Sequence, residues 1–260
     1  MPATATARPI GEHLRDWRTR RRLSQLELAY DTEISPRHLS FVETGRSTPS
    51  REMILRLAEQ LEVPLRDRNT LLLAGGYAPI YDQRSLDDPA MKHVREAIDL
   101  VLKGHEPYPA LALDRHWNLM AANRAVAPLL AGVSSALREP VTNVIRLSLH
   151  PEGLASRIVN LSEWRAHLIG RLRHQAETTG DPILADLLTE VAAYPAADGG
   201  IEEANDVAVP LRLRTEAGVL SFISTTTVFG TPLDVTLSEL ALESFFPADA
   251  ATAEALRRLG

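Results

Sequence analysis

The chain has 260 residues, 45% of them apolar, so it is long enough to bury one large core or two ordinary ones. It contains no cysteine, which excludes disulfide frameworks, cysteine-based zinc sites and cysteine redox chemistry, and its net charge is −6. Neither the apolar core of a signal peptide in MPATATARPIG nor an apolar run of about eighteen residues occurs, which predicts a folded cytoplasmic protein without a membrane span.

The negative charge belongs to the second part of the chain. Residues 1–82 carry twelve Arg and eleven acids, whereas residues 83–260 carry sixteen Lys or Arg and twenty-three acids. Five of the arginines lie in RDWRTRRR, residues 15–22, and the first part has no Lys. Because Arg forms bidentate bonds with phosphate and with guanine edges, the first part is compatible with a nucleic-acid partner.

Apolar periodicity predicts five short helices in residues 1–76. The first carries Ile10, Leu14 and Trp17 at helical spacing. The second begins at Ser24, which forms a capping box with Glu27.

The third helix begins at Ser35, with Pro36 at the first helical position, where a missing N–H group costs nothing. Its inner face is predicted to carry Leu39 and Val42, and Gly45 ends it. Two further helices follow, one that carries Ile54, Leu57, Ala58 and Leu61 at helical spacing and one at roughly residues 65–74.

Turn-forming residues in GGYAPIYDQRSLDDP predict a boundary between two domains, residues 1–76 and 88–260, joined by a linker of residues 77–87. Asp88 and Pro89 are predicted to begin a helix that carries Val94, Ile98 and Val101 along one side.

The second domain mixes helix and strand patterns. PALALD and WNLMA, around a turn at RH, predict a hairpin followed by a helix from about Asn123. Residues 142–195 are helical in pattern, and strand patterns return in DVAVPLRLRT, VLSFISTTTVFG and DVTLSELALESFF. The segment PADAATAEALRRLG predicts a terminal helix, so this domain is expected to be α+β.

The segment LSQLELAYDTEISPRHLSFVETGRSTPSREMILRLAEQLEVP resembles the DNA-binding domain of xenobiotic-response-element regulators, which are related to phage repressors. SQ opens the second helix, LA lies within it, S opens the third, ET and G end it, and PS precedes the fourth. The resemblance implies an all-α, five-helix, lambda-repressor-like domain whose third helix enters the major groove.

Carried over by position, the resemblance implies DNA contacts from Gln25, Ser35, Pro36, Arg37, His38, Ser40, Phe41 and Arg46. Arg37 is the residue expected to read a base, because Arg bonds guanine O6 and N7 together. Gln25, Ser35 and Arg46 are expected to contact phosphate, whereas His38 is compatible with base contact, phosphate contact or simple exposure.

Three features of this domain have a structural explanation. The run of arginines at 20–22 is typical of a solvated face as well as of phosphate contact. Glu43 would meet DNA at an electrostatic cost, so it is expected to hold the turn or to pair with an arginine. Glu33 stands in the turn between the second and third helices, where many relatives have a glycine that favours positive φ.

In the second domain, GHEPYPALALDRHWNLMAANRA, HPEGL, IVNLSEW, PLRLRT and TVFGTPLDVTLSELALESFFPAD, in that order, resemble the MmyB-like subgroup of these regulators. The resemblance implies a PAS-like domain with a small antiparallel sheet covered by helices. It also implies that this domain senses a small ligand, which in some relatives is fatty-acid-like.

The residues themselves offer no catalytic or metal constellation. HExxH and GxSxG are absent, and Glu163, His167 and His174 lack the spacing of a metal site, so no metal, cofactor or enzyme activity is expected. An apolar pocket would need aromatic walls and one polar anchor, although an aromatic residue in a helical stripe is more often plain core. The candidates for the ligand site are Trp117, Arg146, His150, Trp164, Phe222 and Phe229.

These patterns together predict a regulator that binds operator DNA as a homodimer and senses a small apolar or amphipathic effector. Three alternatives stay open: the second domain only dimerises or binds proteins, the chain carries an enzyme, or the helical domain binds RNA or protein.

Overall fold

The computed structural model describes residues 8–195 and 209–259. Within them the chain forms two compact units, one of residues up to Arg84 together with Pro232–Ser238, and one of Ser85–Thr231 and Glu239 onwards. The first three residues of the strand expected at DVAVPLRLRT lie outside the described residues.

The first unit contains the five predicted helices: α1 (Ile10–Arg20), α2 (Gln25–Asp31), α3 (Pro36–Glu43), α4 (Arg51–Gln60) and α5 (Leu65–Ala74). The capping box of Ser24 and Glu27 is present, and the Ser35 hydroxyl accepts a hydrogen bond from the main-chain N–H of His38. Pro36 occupies the first turn of α3. The local start signals therefore set the helix boundaries as predicted.

The helices of the first unit share one buried core. Leu14, Leu28, Leu39, Leu57 and most of its other members have no exposed surface. Leu39 and Val42 face inward from α3, as expected, and α1 approaches α3 closely at Gly11. A Cβ atom at Gly11 would lie only 2.3 Å from the carbonyl oxygen of Val42, so this position requires glycine.

The turn between α2 and α3 contains Glu33 in a left-handed conformation, with φ of 55°. A side chain in this region costs about 1–2 kcal/mol relative to ordinary helical geometry. Glu33 thus adopts a conformation that favours glycine, and Gly45 (φ 73°) follows the end of α3.

The second unit is built on five strands: β1 (Ala110–Leu113), β2 (Leu119–Ala122), β3 (Leu211–Thr215), β4 (Gly218–Val228) and β5 (Ala241–Pro247). They form one antiparallel sheet in the order β2-β1-β5-β4-β3. The described helices are α6 (Lys92–Gly104), α7 (Val144–Leu149), α8 (Leu161–Thr179), α9 (Pro182–Ala192) and α11 (Ala250–Leu259), with α10 (Val235–Ser238) belonging to the first unit. The expected fold class, helical domain followed by α+β domain, is confirmed.

Both faces of this sheet are covered near β1, which is why all four of its residues are buried. Leu111 and Leu113 join a large cluster with α7, α8 and α9, whereas Ala110 and Ala112 join a smaller cluster with α6. The alternation of strand side chains between two cores explains a fully apolar strand in an antiparallel sheet.

Three details differ from the predictions. The strand pattern of DVTLSELALESFF begins with a short helix, α10 (Val235–Ser238), and only Ala241–Pro247 forms strand. Val101 is 48% exposed, and Leu102, four residues after Ile98, takes the buried position instead. The segment after the hairpin is a 3-10 helix, Arg124–Leu130, with Pro128 inside it, rather than an α-helix, because proline removes an α-helical hydrogen bond.

The segment Pro232–Ser238 lies between β4 and β5 in sequence but belongs to the first unit. The Val235 main-chain N–H donates to the Asp82 carbonyl at 2.8 Å, and the Thr236 hydroxyl donates to the Arg84 carbonyl at 2.6 Å. The Asp234 carboxylate caps α10 and lies 3.4 Å from the Arg84 guanidinium. Since Val235 has no exposed surface, this segment is integral to the first unit.

Candidate functional sites

Three of the residues expected to contact DNA converge on the exposed side of α3. The guanidinium of Arg37 lies 5.3 Å from the centre of the Phe41 ring, and that of Arg46 lies 5.8 Å from it. The Arg46 main-chain N–H donates to the Phe41 carbonyl at 2.8 Å, which fixes the chain after the helix. Within the described residues neither arginine has an acidic partner, so two cations stand over one aromatic ring, available for an anionic surface.

The other predicted DNA contacts surround this cluster. Pro36 is exposed at the start of α3, and Ser35 is exposed one residue before it. His38 and Ser40 are half-buried. The Ser35 hydroxyl oxygen already accepts from the His38 N–H, which leaves its own O–H free to donate to a phosphate oxygen.

Gln25 is the predicted contact with a competing partner. Its side-chain amide donates to the Glu43 carboxylate at 2.7 Å, and Arg18 donates to the same carboxylate through Nε at 2.6 Å and Nη2 at 2.9 Å. Glu43 is 7% exposed. The network ties α1 and α2 to the end of α3, so Glu43 pairs with an arginine as expected.

The Arg18–Glu43 pair fixes the position of α3. Its hydrogen bonds raise the pKa of the Arg18 guanidinium above its usual range. Removing one partner of such a buried pair leaves an uncompensated charge, which costs about 3–5 kcal/mol. The exposed face of α3 is therefore presented by a rigid scaffold.

The arginine run at 20–22 has contacts of its own. Arg21 donates to the carbonyls of Leu61 and Glu62 at the end of α4, and both Arg20 and Arg21 stack on the Trp17 ring. A cation at a helix C-terminus complements the helix dipole. Part of this run thus stabilises the first unit.

The core of the second unit encloses a cavity of about 80 Å³. Its walls come from all five strands, α7, α8 and the 3-10 helix Arg124–Leu130, and they are mainly Leu, Ile and Val side chains. Three predicted ligand-site residues, Trp117, Trp164 and Phe222, line it, together with two polar side chains, Ser148 and Glu243. An apolar cavity with a few polar groups has the character of a small-molecule site.

A second cleft, of about 390 Å³, lies on the outer side of the same 3-10 helix. Its lining includes Glu106, Arg124 and Pro128, and it shares Leu129 with the inner cavity. The short 3-10 segment is therefore the wall between cleft and cavity.

Trp117 is held in a strained but fully bonded position. Its backbone φ is 67°, an uncommon conformation for a bulky residue. Its indole Nε1–H donates to the side-chain oxygen of Gln175 at 2.7 Å, and the Arg171 guanidinium stacks 4.7 Å from its ring. Gln175 is itself held by a hydrogen bond from its amide to the Arg115 carbonyl.

The indole N–H of Trp164, unlike that of Trp117, is not hydrogen-bonded within the described residues. Trp164 is 3% exposed, and its Nε1–H is buried without a hydrogen-bond partner among the residues that the structure describes. The His167 ring stacks on its indole at 5.4 Å. Burial lowers the pKa of His167, and the nearby Arg171 cation lowers it further, so this imidazole is neutral at pH 7.

The charged group of the cavity wall is a carboxylate that is already paired. Glu243 is 6% exposed, and Arg171 donates to its Oε1 at 2.9 Å. Arg171 also donates to the Thr226 hydroxyl at 3.2 Å. Among the described residues of the lining, none is Lys, Arg or His.

The other three ligand-site candidates lie elsewhere in the second unit. Arg146 donates through Nε and Nη2 to the Glu190 carboxylate, at 2.8 Å and 2.7 Å, and this hydrogen bonding lowers the pKa of Glu190. His150 contacts the edge of the Tyr194 ring at 5.1 Å. Phe229 packs against the smaller cluster around α6.

Sequence reasoning missed the polar partners of the cavity. Gln175 is 58 residues from Trp117, and Arg171 is 72 residues from Glu243. A weak signal existed for α8, where Trp164, His167 and Arg171 follow one another at helical spacing. No comparable signal marked Glu243, because in the sequence it is simply an acidic residue within a predicted strand.

The sequence matches two family models. Residues 94–259 match the MmyB-like transcription regulator ligand binding domain, and residues 9–71 match a helix-turn-helix domain. A comparison with curated proteins found no match. No helix in the described part of the chain is long and apolar enough to cross a membrane.

Proposed function

The chain belongs to the MmyB-like transcription regulators, with a helix-turn-helix DNA-binding domain and a ligand-binding domain, and from this premise we propose how it reads DNA and what it senses. It binds operator DNA in a sequence-specific manner, in the cytoplasm and without catalytic activity of its own. The single observation that carries the DNA-binding part is the cluster of Arg37, Phe41 and Arg46 on the exposed side of α3.

In this proposal α3 enters the major groove and Arg37 bonds a guanine edge. Phe41 keeps the Arg37 guanidinium extended and contacts a thymine methyl group or sugar, as apolar side chains do in the groove. His38 and Ser40 lie beside them and make further base or phosphate contacts, and Pro36 packs against the DNA backbone.

The phosphate contacts orient the domain. Arg46 reaches the backbone beyond the end of α3, the Ser35 hydroxyl donates to a phosphate oxygen, and Gln25 contributes its main-chain N–H because its side chain holds Glu43. These contacts carry affinity but do not select sequence.

One such helix offers limited contact area, so we propose that the protein acts as a homodimer on two half-sites about 34–36 Å apart. The second unit supplies the dimer contact and the sensor. Native mass spectrometry before and after organic extraction reports the subunit number and any retained small molecule. A monomer contradicts the two-half-site model, and a dimer that carries an extractable apolar molecule supports the sensor.

The cavity around Trp117, Trp164 and Phe222 is proposed as the site of a small apolar or amphipathic ligand. The family resemblance implies a fatty-acid-like molecule, and a chain of this kind is one of the ligands proposed. At about 80 Å³ the cavity is smaller than the usual ligand site of about 300–1,000 Å³. A ligand must therefore enlarge it, and only a state with an enlarged cavity gains the binding free energy.

The wall that yields is the 3-10 helix Arg124–Leu130. Its hydrogen bonds have poorer geometry than those of an α-helix, and the outer cleft on its far side provides room for movement. Enlargement at this wall gives the ligand two states to distinguish, which is the requirement for any effect on DNA binding.

The DNA-binding proposal is tested by Arg37→Ala in a gel-shift titration against a selected operator. Loss of the guanine contact should weaken specific binding about 5- to 150-fold and leave non-specific binding nearly unchanged. Arg15→Ala is the matched control, since it removes an exposed arginine from α1. Equal losses in both variants, or equal losses on operator and random DNA, contradict base reading by Arg37.

A further inference from the structure

The two tryptophans of the cavity differ in the state of the indole N–H. That of Trp117 is satisfied by Gln175 at 2.7 Å. That of Trp164 is buried and has no acceptor in the described part of the molecule. Because buried donors are nearly always paired in native proteins, an unpaired one in the wall of a cavity marks a place for an acceptor that the protein does not itself provide.

The surroundings of Trp164 restrict what that acceptor can be. The described lining contains no cationic side chain, and His167, stacked on the Trp164 indole, is uncharged at neutral pH. The one charged group of the wall, Glu243, is an anion. An anionic head group in this cavity would meet no partner of opposite charge and would stand near a like charge.

A carboxylate could reach a cation here only by taking Arg171 away from Glu243. That exchange would break the 2.9 Å bond between them and leave Glu243, at 6% exposure, without its partner. A buried charge that loses its partner is strongly unfavourable, so the exchange works against binding.

We propose that the ligand of this cavity is an uncharged, mainly apolar molecule whose carbonyl or hydroxyl oxygen accepts the Nε1–H of Trp164. The inference rests on the proposed sensor function and narrows it. A fatty-acyl chain fits when its head is neutral, as in an alcohol, ester, amide or ketone, and not when it is a free carboxylate.

The test uses four probes of similar length, titrated calorimetrically into the full-length protein at about pH 8, where a carboxylic acid is ionised. The probes are 2-octanone, 1-chloroheptane, octanoate and octylammonium. The ketone supplies a neutral acceptor, and the chloroalkane supplies a similar chain with almost no accepting ability. The expected result is tightest binding of 2-octanone and weaker binding of octanoate.

Trp164→Phe removes the N–H while keeping an aromatic wall. Loss of one hydrogen bond between neutral groups should weaken 2-octanone about 3- to 10-fold and change 1-chloroheptane much less. Trp117→Phe is the matched control, because its N–H is already bonded to Gln175. That variant should affect the two neutral probes equally.

Indole resonances of uniformly ¹⁵N-labelled wild-type protein give a second readout that does not depend on the folding of a variant. The Trp164 Nε1–H signal should move downfield with 2-octanone and stay in place with 1-chloroheptane.

The outcomes separate the inference from the sensor function. Octanoate binding as tightly as 2-octanone, or equal losses of both neutral probes in Trp164→Phe, overturns the neutral-acceptor ligand but keeps a ligand-binding cavity. An unmoved Trp164 signal with bound 2-octanone also overturns it. No binding by any of the four probes overturns the sensor function itself.

Discussion

The cores of the two units differ in the features that the structure describes. The helical core around Leu57 is almost completely buried, whereas the core under the sheet contains a cavity and a buried indole N–H group without a hydrogen-bond partner. Protein interiors are normally packed as densely as organic crystals, so a void costs stability. The difference agrees with the proposed roles, in which the first unit presents a fixed DNA-reading helix and the second accommodates a ligand.

Leucine truncation should show the largest contrast. Leu57→Ala in the filled core should lower the free energy of unfolding by about 3–5 kcal/mol, because a new cavity is made among fully packed neighbours. Leu147→Ala enlarges a cavity that already exists and should cost less, about 2–3 kcal/mol. Urea unfolding of both variants measures this, and a larger loss for Leu147→Ala would contradict the comparison.

Two glycine substitutions should differ in sign. Gly11→Ala pushes a methyl group against the main chain of Val42 and Glu43 and should destabilise the first unit by about 1–3 kcal/mol. Gly170→Ala, in the middle of α8 with no atom within 4 Å of the new Cβ, should stabilise the second by about 0.5–1 kcal/mol. Thermal unfolding of the two variants measures the difference. If Gly11→Ala also stabilised the protein, α1 would have room to move away from α3.

Removing the backbone strain in the turn before α3 should stabilise the protein. Glu33→Gly relieves a left-handed side chain and, after the extra entropy of an unfolded glycine, should raise stability by about 0.5–1 kcal/mol. Glu59→Gly, at an exposed position within α4, is the control and should lower stability by a similar amount. Calorimetric melting of the two variants checks the prediction, which a loss in Glu33→Gly refutes.

The smallest effect concerns pH. Because the folded protein lowers the pKa of His167, its contribution to stability is present above the unfolded value of about 6.5 and is lost as pH falls below it. His167→Gln should reduce the loss of stability below about pH 6.5. His93→Gln, whose imidazole is 92% exposed, should not. Urea unfolding at each pH measures the free energy of unfolding. If this free energy depends on pH in the same way in the wild type and both variants, His167 is not the cause of the loss.

The sequence predicted the first unit almost completely because its signals are local. The Ser24–Glu27 capping box, Pro36 in the first turn and Gly45 after α3 each act within a few residues, and the structure confirms them. The convergence of Arg37 and Phe41 also follows from helical spacing. The partner of Gln25 and the inclusion of Pro232–Ser238 in this unit lay outside local reasoning.

The cavity was predictable in kind but not in detail. The sequence singled out three aromatic residues that line the cavity. An aromatic residue in the sequence does not show, however, whether its side chain lies in a filled core or beside a cavity. Arg146 was a reasonable anchor for a carboxylate until its bonds to Glu190, 44 residues away, became visible. Distant pairings of this kind depend on tertiary structure, which spacing in one sequence does not encode.

The excursion of Pro232–Ser238 into the first unit changes how the chain can be divided. The polypeptide passes between the units three times, at Arg84–Ser85, Thr231–Pro232 and Ser238–Glu239. A protease that cuts once in residues 77–87 would leave the helical unit holding a loop whose two ends continue into β4 and β5. A fragment ending at Arg84 would lack Val235 and its bond to Asp82, so the two units are not separable modules that can be exchanged at one joint.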